Sequence, residues 1–182
     1  IPKNSQGFVL LELPINLQSL ILSKITDKEI ASFLKFLDPD DITDLIIHLK
    51  NKRRKKILSQ LETYLQEKTN LLLSFDPESA AGLMSLDYVQ VYKKATFEQV
   101  SKKLENHINK TGNIPTILVT DKGKLIGTLS ISELIVAKDN YIATHIKPAK
   151  TIKYNQDQEE VLDIFNKNDQ ENIVVLDEGE IE

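Results

Sequence analysis

Residues 75–84, FDPESAAGLM, place an acidic turn, three small residues (Ala80, Ala81, Gly82) and the chain's only methionine between two halves of different character. Before this stretch the apolar positions recur every twelve residues. Leu13, Ile25, Leu37, Leu49 and Leu61 form one series, Ile21, Phe33, Leu45 and Ile57 a second, and Leu22, Leu34, Ile46 and Leu58 a third. Each unit reads as an apolar residue, a polar stretch with helix-start signals, and an apolar pair. The signals include TDKE (26–29) and DPDD (38–41), where Thr26 and Asp38 can cap and Pro39 suits the first helical turn. Pro14 and Pro39 oppose one continuous helix. The spacing predicts an array of short helices, each buried only against its neighbours. ETYLQEKTNLLLSF (62–75) reads as a longer closing helix.

After residue 84 the pattern changes. VQVY (89–92) reads as a strand and TFEQVSKKLENHI (96–108) as a helix, with Thr96 and Gln99 placed as a capping box. IPTILVT (114–120), a DKGK turn and LIGTLS (125–130) read as two strands, and ISELIVA (131–137) as a short helix. The order then restarts. TIKY (151–154) matches VQVY, DQEEVLDIF (157–165) matches TFEQVSKKL with Asp157 as cap, and NIVVLDEGE (172–180) matches PTILVTDKG. The second copy stops before its last strand and helix.

Composition bounds the function. A hydrophobic content of 41% with 27% charged residues indicates a packed fold. Without cysteine there is neither a disulfide framework nor a thiolate metal site. A net charge of −4 opposes nucleic-acid binding. The apolar runs are too short to span a bilayer, and IPKNSQG is no signal peptide. His48, His107 and His145 have no metal-ligand spacing, and neither a nucleophile elbow nor a P-loop is present, so no enzyme is expected.

The second half resembles a pair of cystathionine-β-synthase (CBS) motifs. Joined through Glu78-Ser79-Ala80-Ala81-Gly82-Leu83-Met84 to a helical array, it is similar to the cytosolic part of an MgtE-type magnesium transporter. The fold class implied is α + α/β: an N-terminal right-handed array of short helices, then a CBS-domain pair whose second motif is incomplete. The expected boundaries are a helical N domain over 1–75, a junction over 76–87, a first CBS motif over 88–145 and a truncated second motif over 146–182.

The resemblance implies Mg²⁺ held between acidic residues of the N domain and acidic residues of the CBS pair. By motif position Asp40 and Asp44 match the N-domain ligands, and Asp157, Glu159 and Asp169 the CBS ones. Asp40 and Asp44, four apart, share a helix face. Mg²⁺ takes oxygen ligands, keeps several waters and uses one or two carboxylates. A second reading stands beside this one: Asp40 favours a helix N-terminus and Asp157 is an N-cap. GTLSISEL (127–134) is similar to the CBS nucleotide signature, with Ser130 followed by Glu133 where the family has Asp. That substitution counts against ATP or AMP binding. KNKRRKK (50–56), with six basic residues in seven, reads either as a patch facing anionic lipid or acidic protein, or as the solvated start of a repeat helix. The family further implies a homodimer through the CBS motifs, a transmembrane pore domain in the same polypeptide, and a place at the cytoplasmic face of the membrane. The function expected is Mg²⁺ sensing that closes the pore, with a soluble adenine-nucleotide-binding CBS module as the alternative.

Overall fold

The twelve-residue period is realised as six helices with evenly spaced starts: α1 (Lys3–Leu11), α2 (Ile15–Lys24), α3 (Asp27–Leu34), α4 (Pro39–Ile46), α5 (Asn51–Leu58) and α6 (Thr63–Leu72). The computed structural model describes residues 1–136, 140–168, 172–177 and 180–181. It divides into two units, Ile1–Pro77 and Glu78–Glu182. The break lies inside the expected junction.

In the first unit α1 packs on α3, α3 on α5 and α4 on α6. The apolar series supply the core: Phe33, Leu34, Leu45, Ile46, Ile57 and Leu58 are all buried. Burying each such side chain contributes about 1.5–3 kcal/mol, so repeats too short to stand alone hold together by stacking. Thr26 caps α3 in a capping box with Glu29. Asp38 occupies the N-cap position of α4, but no capping hydrogen bond forms from its side chain, and Pro39 starts the helix instead.

The second unit repeats one motif. The first copy contains β1 (Tyr88–Tyr92), α7 (Phe97–Thr111), β2 (Thr116–Asp121), β3 (Lys124–Leu129) and α8 (Ile131–Val136). The second contains β4 (Thr151–Lys153), α9 (Gln158–Asn168), β5 (Val174–Asp177) and β6 (Glu180–Ile181). In each copy the first two strands pair in parallel and the last two antiparallel. The copies join edge to edge in the order β1-β2-β3-β6-β5-β4. β6 corrects one expectation: the second copy reaches the start of its last strand. The capping box of Thr96 and Gln99 forms as expected.

Two close approaches explain small residues. Ala80 N–H donates to the Gln156 carbonyl and Ala81 N–H to that of Tyr154, at 2.7 and 3.0 Å, while Gln158 N–H donates to that of Glu78. The junction backbone thus lies along the turn between β4 and α9, with Ala80 and Ala81 buried. At Gly127 the linker between the motifs crosses β3: Thr128 and Lys147 exchange backbone hydrogen bonds, and a Cβ on Gly127 would overlap the Lys147 carbonyl.

Candidate functional site

The start of α4 concentrates negative charge. Asp38, Asp40, Asp41 and Asp44 fall within seven positions, and a helix start favours such residues. Asp40 and Asp41 are half-buried, and one carboxylate oxygen of Asp40 is fully buried. Burial, reinforced by the charges of Asp40, Asp38 and Asp44, pushes Asp41 up to about 6. Asp44, on the more exposed side, is raised too, first by partial desolvation and then by Asp40, with His48 opposing. Asp41, absent from the expected ligand set, is thus raised further than Asp44. The doubled aspartate in DPDD was the available signal.

On the other unit Asp157 caps α9: its Oδ1 accepts from Glu159 N–H at 2.8 Å. Asp157 also bridges to Ser79 of the junction. Glu159, two positions further on, is exposed. Asp169 lies outside the described residues. Among the described residues no three acidic or histidine side chains gather around one point in metal-ligand geometry. The donor chemistry of α4 nevertheless fits a hard, water-retaining cation, because carboxylates that raise one another's pKa lose repulsion when a cation joins them.

Two of the clefts among the described residues of the second unit bear on ligand binding. One, of about 250 Å³, is lined by Met84, Tyr88, Phe165 and Val174 with Asp87 and Asn172 at its polar points. Nothing in the sequence reading pointed to it beyond the lone methionine. The other, of about 550 Å³, includes Ser130, Thr128, Lys147 and Lys150. Ser130 Oγ is hydrogen-bonded to Ser132 Oγ at 2.7 Å. Glu133 pairs with His145 Nδ1 at 2.7 Å and with Lys147 at 3.8 Å. Both candidate nucleotide contacts are therefore engaged internally.

Family models match both parts of this architecture: the MgtE intracellular N domain over residues 1–78 and the CBS domain over 80–140. The chain belongs to the MgtE family. The magnesium transporter MgtE of Bacillus subtilis is 24% identical over 173 residues, covering 93% of this chain and 38% of that protein. That of Thermus thermophilus is 30% identical over 146 residues, covering 76% of this chain and 32% of that protein. The chain thus spans about a third of the length of these MgtE relatives. A crystal structure of the cytosolic domain of the Mg²⁺ channel MgtE in complex with ATP superposes with a TM-score of 0.86 at 26% identity, covering 99% of this chain and 75% of that one. The chain therefore has the N-domain and CBS architecture of MgtE cytosolic domains. Among the described residues no helix is long and apolar enough to cross a membrane.

Proposed function

We propose that this chain is the Mg²⁺-sensing cytosolic region of a magnesium transporter, acting from the cytoplasmic face of the membrane on a pore domain of the same polypeptide. Mg²⁺ bridges Asp40 and Asp44 of the N domain to Asp157, Glu159 and Asp169 of the CBS region and favours the closed state. The observation that carries this reading is the crowding at α4, where Asp41 is held at about 6 by burial and three neighbouring carboxylates. Without the cation, repulsion drives acidic surfaces apart. With it, they compact. The ion shifts the equilibrium because its affinity differs between the two states. A homodimer through the CBS motifs belongs to the same reading: Ile135, Val136, Leu162 and Phe165 are exposed apolar side chains that a second copy would cover. Limited proteolysis across residues 70–90 tests sensing. Millimolar Mg²⁺ should slow cleavage while Na⁺ at matched ionic strength does not, and equal cleavage in both would refute the proposal.

A second reading, an adenine-nucleotide-binding CBS module, is favoured by the cleft at Met84, Tyr88 and Phe165, whose apolar and aromatic lining suits a planar base. The structural relative in complex with ATP supports it. Ser130 and Glu133 are the poorer candidates, since their bonds to Ser132 and His145 must break first. Calorimetric titration with ATP and AMP decides: binding abolished by Tyr88→Ala and kept by Glu133→Gln places the nucleotide in the first cleft, and no heat with either nucleotide removes this reading.

A further inference from the structure

The six basic residues between Lys50 and Lys56 are not one feature once folded. Arg53 turns inward, donating to the carbonyls of Leu22 and Ile25 and to Asp27, at 2.7–2.8 Å. Arg54 donates to the Ile47 carbonyl. Lys50, Lys52 and Lys55 remain exposed, and among the described residues none of them forms an ion pair. Lys56 shares Asp27 with Arg53, so among the described residues one carboxylate answers the whole of α5. Helical spacing puts Lys52, Lys55 and Lys56 on the side opposite the buried Ile57 and Leu58.

Beside α5 lies an unusual helix. Of the ten residues of α2, only Leu22 is buried. Leu17, Leu20 and Ile21 are 42%, 54% and 37% exposed, and Lys24 continues their stripe. Ile21 occupies the repeat position at which Phe33, Leu45 and Ile57 are 2% exposed or less. The bonds from Arg53 to Leu22 and Ile25 hold α5 against the C-terminal end of α2. Exposed ammonium groups on α5 and an aliphatic stripe on α2 are therefore carried by two helices of one unit that meet at Arg53.

We propose that the α2–α5 surface of the N-terminal unit docks on an anionic lipid bilayer, with the lysines at headgroup phosphates and Leu17, Leu20 and Ile21 at the acyl boundary. The chemistry favours lipid over nucleic acid. The exposed cations are point-charge lysines, both arginines that could grip a phosphate with a planar fork are committed internally, and the α2 stripe offers no aromatic ring for base stacking. A flat partner also needs no groove, and basic side chains beside exposed aliphatic ones are what interfacial binding uses.

The test is flotation of the full chain with vesicles of equal parts phosphatidylglycerol and phosphatidylcholine, against phosphatidylcholine alone. Partition should occur on the anionic vesicles only and weaken with salt. Each lysine near such a surface contributes about fivefold to partition (~1 kcal/mol), so K50Q/K52Q/K55Q should lower it about a hundredfold. The charge-matched K94Q/K102Q/K150Q, at exposed positions of the CBS region, should leave it unchanged. L17S/L20S should weaken it severalfold, and an unchanged partition would remove α2 from the surface. Circular dichroism of each variant controls for folding. Absence of partition on anionic vesicles, equal loss in the two lysine variants, or lysine-dependent binding to duplex DNA in place of vesicles would overturn the proposal.

Discussion

Helices α4 and α5 are consecutive, eight residues long each, and start twelve residues apart, yet they treat charge in opposite ways. In α5 the two arginines are consumed: their guanidinium groups satisfy carbonyls that preceding turns leave open, and Asp27 neutralises part of the remainder. In α4 the carboxylates crowd one another, and Asp41 and Asp44 are pushed above their ordinary range. A run of like charge is therefore two different objects. Where the backbone supplies partners, the charge is structural. Where like charges crowd, free energy is held in reserve for a proton or a cation.

Arg53→Ala breaks the comparison most severely. It strands the Leu22 and Ile25 carbonyls and should cost about 2–3 kcal/mol in urea unfolding. Arg53→Lys should recover only part, because an ammonium cannot span three acceptors as the fork does. A parental unfolding midpoint for Arg53→Ala would show that α5 is as unsatisfied as α4.

Asp41→Asn acts in the opposite direction. It relieves repulsion and should stabilise the chain at neutral pH by on the order of 1 kcal/mol, discounted for partial exposure. In the parent, Asp41 titrates at about 6 folded against 3.8 for the ordinary group. Between those values the folded chain holds more protons, so stability rises as pH falls from about 7 toward 4.5, and asparagine flattens that slope. Asp27 and Glu29, held low by Arg53 and by Thr26 respectively, contribute the reverse: their stability is lost only as pH falls below their ordinary values. A melting temperature independent of pH across this window would contradict the crowding at α4. Lys52→Gln and Lys55→Gln, by contrast, should change unfolding by less than about 0.5 kcal/mol, because neither lysine answers a buried group.

The array was legible because its period is carried by aliphatic residues whose burial is compulsory. Leu34, Ile46 and Leu58 could be placed by counting, and the caps at Thr26 and Thr96 by their partners three residues on. The paired CBS motifs were legible through repetition. Other features depend on contacts between distant residues, and no local pattern encodes them. Arg53 looked like any other member of a basic run until its carbonyl acceptors, 28 and 31 positions away, came into place. Asp38 looked like a cap and makes no capping bond. The junction's small residues were noticed, but their partners at Tyr154 and Gln156 belong to the second CBS motif. At the candidate site, Asp40 and Asp44 were named through the family resemblance and share a helix face by spacing, whereas Asp41 is singled out by burial.

The central claim is that the α4 carboxylates act through a cation and not as ordinary helix-start residues. A helix-start residue contributes stability, about 1 kcal/mol for a good cap, with or without Mg²⁺. A bridge contributes only when the ion binds, by mass action. The deciding measurement is the melting temperature of the parent and of Asp44→Asn with and without millimolar Mg²⁺. The variant should match or slightly exceed the parent without Mg²⁺, and should gain distinctly less when Mg²⁺ is added. An equal gain in parent and variant would show that Asp44 is no ligand and that the charge crowding at α4 serves something other than Mg²⁺.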